Sequence, residues 1–462
     1  MSESQTQVSP ARRAAYEVLR RTFEHEAWTD RAFHSAAERH RLEGRDLALG
    51  RRLAYGAVQR RGTSDHLIDA VAERPPERLD PPVLAALRLG IYELLYSRSV
   101  PAHAVVDQAV ELAKGGAGGR KRRRREAAAG LANAVLRRIA REREALLSGL
   151  DDSTPEGAAT AHSYPAWLAR VWWRELGAES ARAQMRAMNE PAETAFRVNT
   201  LRADPERLVA ELQAAGGQVR RGSGDTILEP PEALVVEAGV GETMRAAVAD
   251  GLLIPQSRAS QAVVAVLDPG PGERVVDSCA GPGIKTTQIA ARIENRGDVA
   301  AFELDPARAA QVKELCARAG VSCASVTVGD AARVDLGDGY DRALVDPPCS
   351  DLGALASRPD ARWRKSPEQV GRLAELQRTL LERAAGALRP GGIAVYATCT
   401  ISADENEGVV SAVVASDPSL EVDQLGPAHP ALAASGEPRA LQTLPDRDGT
   451  AGFFIARLRR RG

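Results

Sequence analysis

Two cysteines stand where this sequence is best placed to do chemistry. Cys349 falls in Asp346-Pro347-Pro348-Cys349-Ser350, and Cys399 in Ala397-Thr398-Cys399-Thr400. Each follows an apolar run, RALV and GIAVY, of the kind that forms a strand covered on both faces of a parallel sheet. Such sheets bind ligands at the carboxyl ends of their strands. Neighbouring strand ends would therefore set two thiols across one cleft. A single cysteine is more often a small core residue, and Cys316 in QVKELCARAG and Cys323 in the turn after it are expected to pack and nothing more. The five cysteines include no CxxC pair, and the seven histidines include no HExxH. Neither a disulfide framework nor a metal site is expected.

Three earlier strand ends describe a ligand. The first runs into Asp277-Ser278-Cys279-Ala280-Gly281-Pro282-Gly283-Ile284-Lys285. Its glycines permit a sharp turn, and a helix opening near Lys285 would offer free N–H groups to a carboxylate. The pattern is neither GxxxxGK[ST] nor GxGxxG, which disfavours a nucleoside triphosphate and a dinucleotide. The second strand ends at Glu303, which can accept from both ribose hydroxyls, and the third runs into Asp330, which can accept from an adenine amino group. Each acid alone has a plainer reading, as the cap of the next helix. Together they outline a pocket for adenosine without phosphates, and S-adenosylmethionine is the ligand of that shape.

Two thiols beside a methyl donor suggest one reaction. Carbon 5 of cytosine is a poor nucleophile. Addition of a thiolate at carbon 6 makes the ring an enamine, whose carbon 5 can attack a sulfonium methyl. A helix amino terminus or a nearby Lys or Arg would raise the thiolate fraction. Asp346 would hydrogen-bond ring N3 and the exocyclic amine. Ser402-Ala403-Asp404-Glu405 has the S/T-x-x-E pattern of a capping box, expected to open a helix and aim Cys399 into the cleft.

The elements that must position these groups divide the 462 residues into several parts. Residues 1–148 read as amphipathic helices (AYEVLRR, LALGRRLAYGAVQRR, LAALRLGIYELLYS, AVVDQAVELAK and GLANAVLRRIARE) separated by Gly62, two proline pairs and the tract Gly115–Gly119. Residues 149–163 read as a linker, and 164–250 as a small α/β module with strands at TAFRVNTLR and around Ile227 and Val235. From 251 to 462, strands and helices alternate as in a parallel sheet. The formal net charge is -1, yet residues 1–149 hold 27 basic and 19 acidic side chains, an excess of +8, against −9 for the rest. Six consecutive basic residues, Arg120 to Arg125, can collect phosphates. A coding bias toward arginine is the plainer reading, since only five of the 61 basic residues are lysine. A basic helical third suggests a polyanion-facing part that acts as an independent module. No apolar run approaches a membrane span and no secretory signal opens the chain, so a cytoplasmic location is expected.

DSCAGPGIKTT, DPPCS and YATCT, in this order and spacing, resemble the motifs of the RNA cytosine-5 methyltransferases of the Sun/NOL/NSUN type. FRVNTLR, PQSRASQ, PDARW and GFFIARL match further landmarks, so the resemblance covers nearly the whole chain. The helical part is similar to a NusB-type RNA-binding domain. That combination is similar to the bacterial members that methylate a cytosine of small-subunit ribosomal RNA. The resemblance implies a Rossmann-like class I methyltransferase domain preceded by an all-α NusB-like bundle and a small α/β module. It implies Cys399 as the nucleophile on carbon 6, Cys349 as the group assisting adduct breakdown, and Asp346 as the group holding the base and bordering the cofactor. Residues Cys279 to Lys285, with Glu303, Asp330 and Asp346, would bind S-adenosylmethionine. A monomer without metal is expected. Departures from the family pattern are Ile284 for a glycine, Pro347 for a small residue, Thr400 for the serine of the Thr-Cys-Ser motif, and Asp351-Leu352-Gly353 where Gly-Thr-Gly is usual.

Four other readings compete. DPPC is similar to the D/N-P-P-aromatic motif of amino-group methyltransferases, but Cys349 stands in place of the aromatic ring. A DNA cytosine-5 enzyme would use the Pro-Cys thiol and have no need of Cys399. The same chemistry could serve another rRNA or a tRNA cytosine. A ribosome-assembly or antitermination factor could retain the fold without activity; the pocket acids and both thiols argue against it.

Overall fold

The computed structural model describes residues 8–97, 100–116, 122–239 and 241–462, which form two compact units. One is Met1–Glu190 with Leu355–Arg364; the other is Pro191–Ala354 with Lys365–Gly462.

In the helical unit, alanine-rich faces allow close packing. Seven helices are described before residue 150: Pro10–Glu24, Thr29–Arg39, Gly44–Gln59, Arg61–Ala72, Pro81–Tyr96, Ala102–Gly116 and Arg122–Ser148. Pro81 and Pro82 start a helix rather than break one, as proline does in a first turn. The expected linker is partly ordered. Thr154 caps the helix Pro155–His162 by accepting from the Gly157 N–H, and Ala158 and Ala159 are buried. The next helix, Ala166–Ala187, also belongs to this unit rather than to the small module. Of the basic run, Arg120 and Lys121 lie outside the described residues, while Arg122–Arg125 open the last long helix and are exposed.

A second departure concerns independence. Leu355–Arg364, two hundred residues further on, packs inside the helical unit. Arg362 is fully buried there, its guanidinium 4.0 Å from the Tyr164 ring centroid. It donates to Asn189 Oδ1 at 2.8 Å and to the carbonyls of Ser163, Met188 and Leu355 at 3.2–3.4 Å. Trp363 Nε1 donates to the Val58 carbonyl at 2.8 Å. Residues 1–148 are therefore only part of a unit.

The other unit holds two sheets. The smaller contains β1 (Thr194–Val198), β2 (Gln218–Arg221), β3 (Ala233–Ala238) and β4 (Leu253–Pro255), antiparallel in the order β2-β3-β1-β4. With the helices Pro205–Ala214 and Glu242–Ala249 this is the split βαβ arrangement. Its fourth strand lies past residue 250, so residues 253–255, read from the sequence as catalytic domain, pair here. Ile227 lies in a turn and packs on the neighbouring core; β2 is the strand that precedes β3. Arg197, buried on β1, donates to Gln256 Oε1 at 2.9 Å and to Thr287 Oγ1 at 3.0 Å, and burial lowers its pKa to about 10. FRVN and PQS thus fix the small module against the helix Ile284–Arg292.

The larger sheet contains β5 (Arg274–Asp277), β6 (Asp298–Glu303), β7 (Ala324–Val328), β8 (Tyr340–Val345), β9 (Leu388–Thr398), β10 (Leu420–Val422), β11 (Leu441–Gln442) and β12 (Phe454–Arg460). The order is β10-β12-β9-β8-β5-β6-β7, with β11 on β12. Strands β5 to β9 are mutually parallel, and β12 is antiparallel to β9. Alternate residues feed two cores. Ala343, Val345, Ala394 and Tyr396 join one; Leu344, Ile393, Val395 and Ala397 join the other. This period of two is why the strands read as continuous apolar runs. The chain order reverses between β5 and β8, which opens the ligand crevice at their carboxyl ends.

Candidate active site

The crevice gathers the residues singled out from the sequence. Asp277 ends β5, and the Ser278 N–H and hydroxyl both donate to the Leu344 carbonyl at 3.0 Å, tying this strand end to β8. Burial raises the Asp277 pKa to about 6, and its carboxylate accepts from Thr286 Oγ1 at 2.7 Å. Cys279 packs on the core, and burial pushes its thiol up. The turn ends at Gly283, whose φ of +100° precedes the helix Ile284–Arg292. That helix has no side-chain cap on its first turn. Ile284 faces a small apolar cluster with Ile254, Leu315 and Ala319. The departure from glycine there serves packing.

Glu303 ends β6, where one carboxylate oxygen accepts from the Gly281 N–H at 3.0 Å and the other from the Asp305 N–H at 2.9 Å. A Cβ on Gly281 would come within 2.2 Å of that carboxylate, so glycine is needed for the approach. Asp330 follows β7 and accepts from the Ala332 N–H at 3.0 Å. An uncapped helix start beside acids at successive strand ends fits a nucleoside bearing a short carboxylate tail.

Lys285 reaches across the switch point. Its Nζ donates to Asp346 Oδ2 at 2.6 Å and lies 5.4 Å from the Phe453 ring centroid. Beyond Asp346 the two thiols meet, with Cys349 Sγ and Cys399 Sγ 3.2 Å apart. Cys349 is buried, and Cys399 is partly exposed as a residue while its side chain packs against the core beneath β9. Cys399 Sγ also donates to Asp351 Oδ1 at 3.2 Å. The expected cationic activation of Cys399 is not what surrounds it. The hydrogen bond with Cys349, then burial, then the charges of Asp351 and Asp346 push its thiol well above the ordinary range. Lys365 Nζ donates to the Cys349 carbonyl at 3.2 Å rather than to a sulfur.

Several positioning residues escaped the sequence reading. Ser402 to Glu405 form no capping box; the helix begins at Glu407. The Glu405 carboxylate instead accepts from the Ser350 N–H and Gln377 Nε2, both at 2.9 Å, and from the Ser350 hydroxyl. It crosses to the other thiol's turn because those buried donors need an acceptor. Ser350 Oγ also lies 2.7 Å from Thr400 Oγ1, and the Gly353 N–H donates to the Cys399 carbonyl at 2.9 Å. A Cβ on Gly353 would meet the Gly452 carbonyl at 2.0 Å, so this turn also requires glycine. Cys316 packs with Ala280, Ala301 and Val312, as expected.

This sheet order, with its glycine turn and strand-end acids, is the fold of an S-adenosylmethionine-dependent methyltransferase. Three family models match: the NusB family over residues 9–141, the ferredoxin-like domain of RsmF/B-type methyltransferases over 164–240, and 16S rRNA methyltransferase RsmB/F over 264–459. A putative methyltransferase of Mycobacterium tuberculosis is 36% identical, covering 98% of this chain and 97% of that one. The ribosomal RNA small subunit methyltransferase B of Thermus thermophilus is 34% identical, covering 90% and 89%. The crystal structure of PH0851 superimposes with a TM-score of 0.80 at 28% identity, covering 98% and 99%. The chain belongs to the RsmB/F family of RNA methyltransferases.

Proposed function

We propose that this enzyme methylates carbon 5 of one cytosine in small-subunit rRNA, in the cytoplasm, through a covalent bond between Cys399 and carbon 6. The observation that carries the reading is the 3.2 Å approach of two thiols at neighbouring strand ends beside the Lys285–Asp346 pair. S-adenosylmethionine, held by Cys279 to Lys285 with Glu303, Asp330 and Asp346, supplies the methyl group as a sulfonium. Cys399 loses its proton and adds to carbon 6, and the displaced π pair makes carbon 5 nucleophilic. Asp346 orients the base by accepting from its amine, with Lys285 fixing the carboxylate. After transfer the carbon-5 proton passes to a solvent base, its bonding pair restores the C5=C6 double bond as the S–C6 bond breaks and Cys399 departs as the thiolate, and Cys349 assists that departure. The target base must leave its stack to reach a thiol at the floor of a strand-end crevice. Basic side chains of the helical unit supply phosphate contacts and a marked salt dependence. The enzyme acts as a monomer. Incubation with labelled cofactor and undermodified small-subunit rRNA, followed by mapping of 5-methylcytosine, tests the reading; transfer to an amino group or to no base refutes it.

Two outcomes follow from the surroundings of the thiols. Only the thiolate attacks, and the Cys399 pKa is raised, so little thiolate exists at neutral pH. The rate of adduct formation should rise about tenfold per pH unit until the pH passes the thiol's pKa. Asp351→Asn removes one of the charges that raise it, and stopped-flow profiles should move to lower pH. A profile flat from neutral pH upward contradicts this. Glu405→Ala strips Ser350 of its acceptor and frees the Cys349 turn; kcat should fall about 10²-fold with cofactor Kd unchanged, and Glu405→Gln should recover part of the loss.

A further inference from the structure

The pair of thiols and Asp351 form a cluster that the methyl-transfer chemistry does not fully explain. Cys349 Sγ, Cys399 Sγ and an Asp351 carboxylate oxygen all lie within 4.8 Å of one another, with the S–S and S–O edges at Cys399 both 3.2 Å. A tetrahedral zinc ion with sulfur ligands at about 2.3 Å and oxygen at about 2.1 Å has S–S edges of about 3.8 Å and S–O edges of about 3.6 Å. The two edges at Cys399 are shorter by about half an ångström, an opening that small side-chain rotations supply, and the third edge lies within 4.8 Å.

Two thiols and a carboxylate form a soft to borderline donor set, which selects zinc-class ions over magnesium or calcium. Asp351 sits at φ +60°, a left-handed position that glycine, asparagine and aspartate adopt more readily than other residues. Its Oδ1 lies 3.2 Å from Cys399 Sγ, where one ion can bridge it to both sulfurs. The Glu405 contacts to Ser350 and the Gly353 contact to Cys399 hold the two turns in place, so the three donors are preorganised.

We propose that Cys349, Asp351 and Cys399 bind one zinc-class divalent cation, with the fourth position left to water, and that this ion reversibly silences the enzyme. Binding forms two metal–sulfur bonds and one metal–oxygen bond, and both thiol protons pass to solvent. Affinity therefore falls as the pH falls. The ion ties up the sulfur that must add to carbon 6. The silencing, though not the binding, rests on the nucleophile assigned above.

The test uses the full chain after chelator treatment, titrated with cobalt(II) as the spectroscopic stand-in and then with zinc. One cobalt per chain should produce a near-ultraviolet thiolate-to-cobalt charge-transfer band that zinc abolishes. Asp351→Asn, which keeps a residue tolerant of the left-handed backbone, should weaken zinc binding about 10- to 100-fold. The Cys349→Ala/Cys399→Ala double variant should lose the band while still binding cofactor, which shows that it is folded. Methyl transfer should stop at one equivalent of zinc and return on chelation. No charge-transfer band, a band that survives in the double variant, or full affinity in Asp351→Asn overturns the site. Zinc bound with the band displaced but methyl transfer undiminished supports the site and refutes instead the assignment of Cys399 as nucleophile.

Discussion

Cys399→Ala should abolish both turnover and the denaturation-stable adduct with 5-fluorocytosine RNA, whereas Cys349→Ala should keep the adduct and accumulate it. The two thiols are 3.2 Å apart, so proximity alone does not assign their roles. Their surroundings differ. Cys349 is buried, and its carbonyl is held by Lys365; Cys399 is half-buried, at the crevice end of β9. The assignment of attack to Cys399 rests on its place in the Thr-Cys motif at the end of β9. Loss of the nucleophile should cost about 10³-fold or more in kcat, because the ring has no other route to a reactive carbon 5. On the proposed mechanism, loss of Cys349 should slow only breakdown, so RNA bound covalently should rise as turnover falls. Gel-shift assays under denaturing conditions read both. If Cys349→Ala abolishes the adduct while Cys399→Ala retains it, the roles are reversed, as in the DNA enzymes.

Arg362→Ala should lower the melting temperature of the helical unit by about 10 °C. The guanidinium is fully buried, and four neutral acceptors and the Tyr164 face surround it. Truncation opens a cavity and leaves those acceptors without a donor, a loss of about 3 kcal/mol. In a unit of this size that corresponds to roughly 6–12 °C. Arg362→Lys retains the charge but cannot fork to four acceptors, so it should fall between the two. Calorimetry measures both; a shift below about 2 °C for the alanine variant would mean that the side chain is not packed in this way in solution.

How much of this was legible beforehand differs by element. The strands β5, β6, β8 and β9 were, because burial on both faces writes a continuous apolar run, and the β-branched edge strand β7 was legible despite its exposure; with them came the strand-end residues Cys279 to Lys285, Glu303, Asp330, Asp346, Cys349 and Cys399. The helix Arg61–Ala72 was not. Arg60 ends one helix and begins the next, and Gly62 reads as a breaker although its N–H donates to Ser163 Oγ at 2.8 Å. β2 was missed because QVRR carries one buried side chain in four. Asp351 and Glu405 act on partners 48 and 55 residues away. Local pattern reports propensity and periodicity; it cannot report which distant donor a carboxylate will satisfy.

The excursion of Leu355–Arg364 into the helical unit also bears on how this protein can be divided. A single cut after Glu190 yields an amino-terminal piece whose socket for Arg362 is empty and a carboxyl-terminal piece carrying the unsatisfied plug. The two halves are stitched by a thread that goes out and comes back, so they cannot be exchanged as cassettes by a single crossover; a working chimera must inherit the plug and its socket from the same parent.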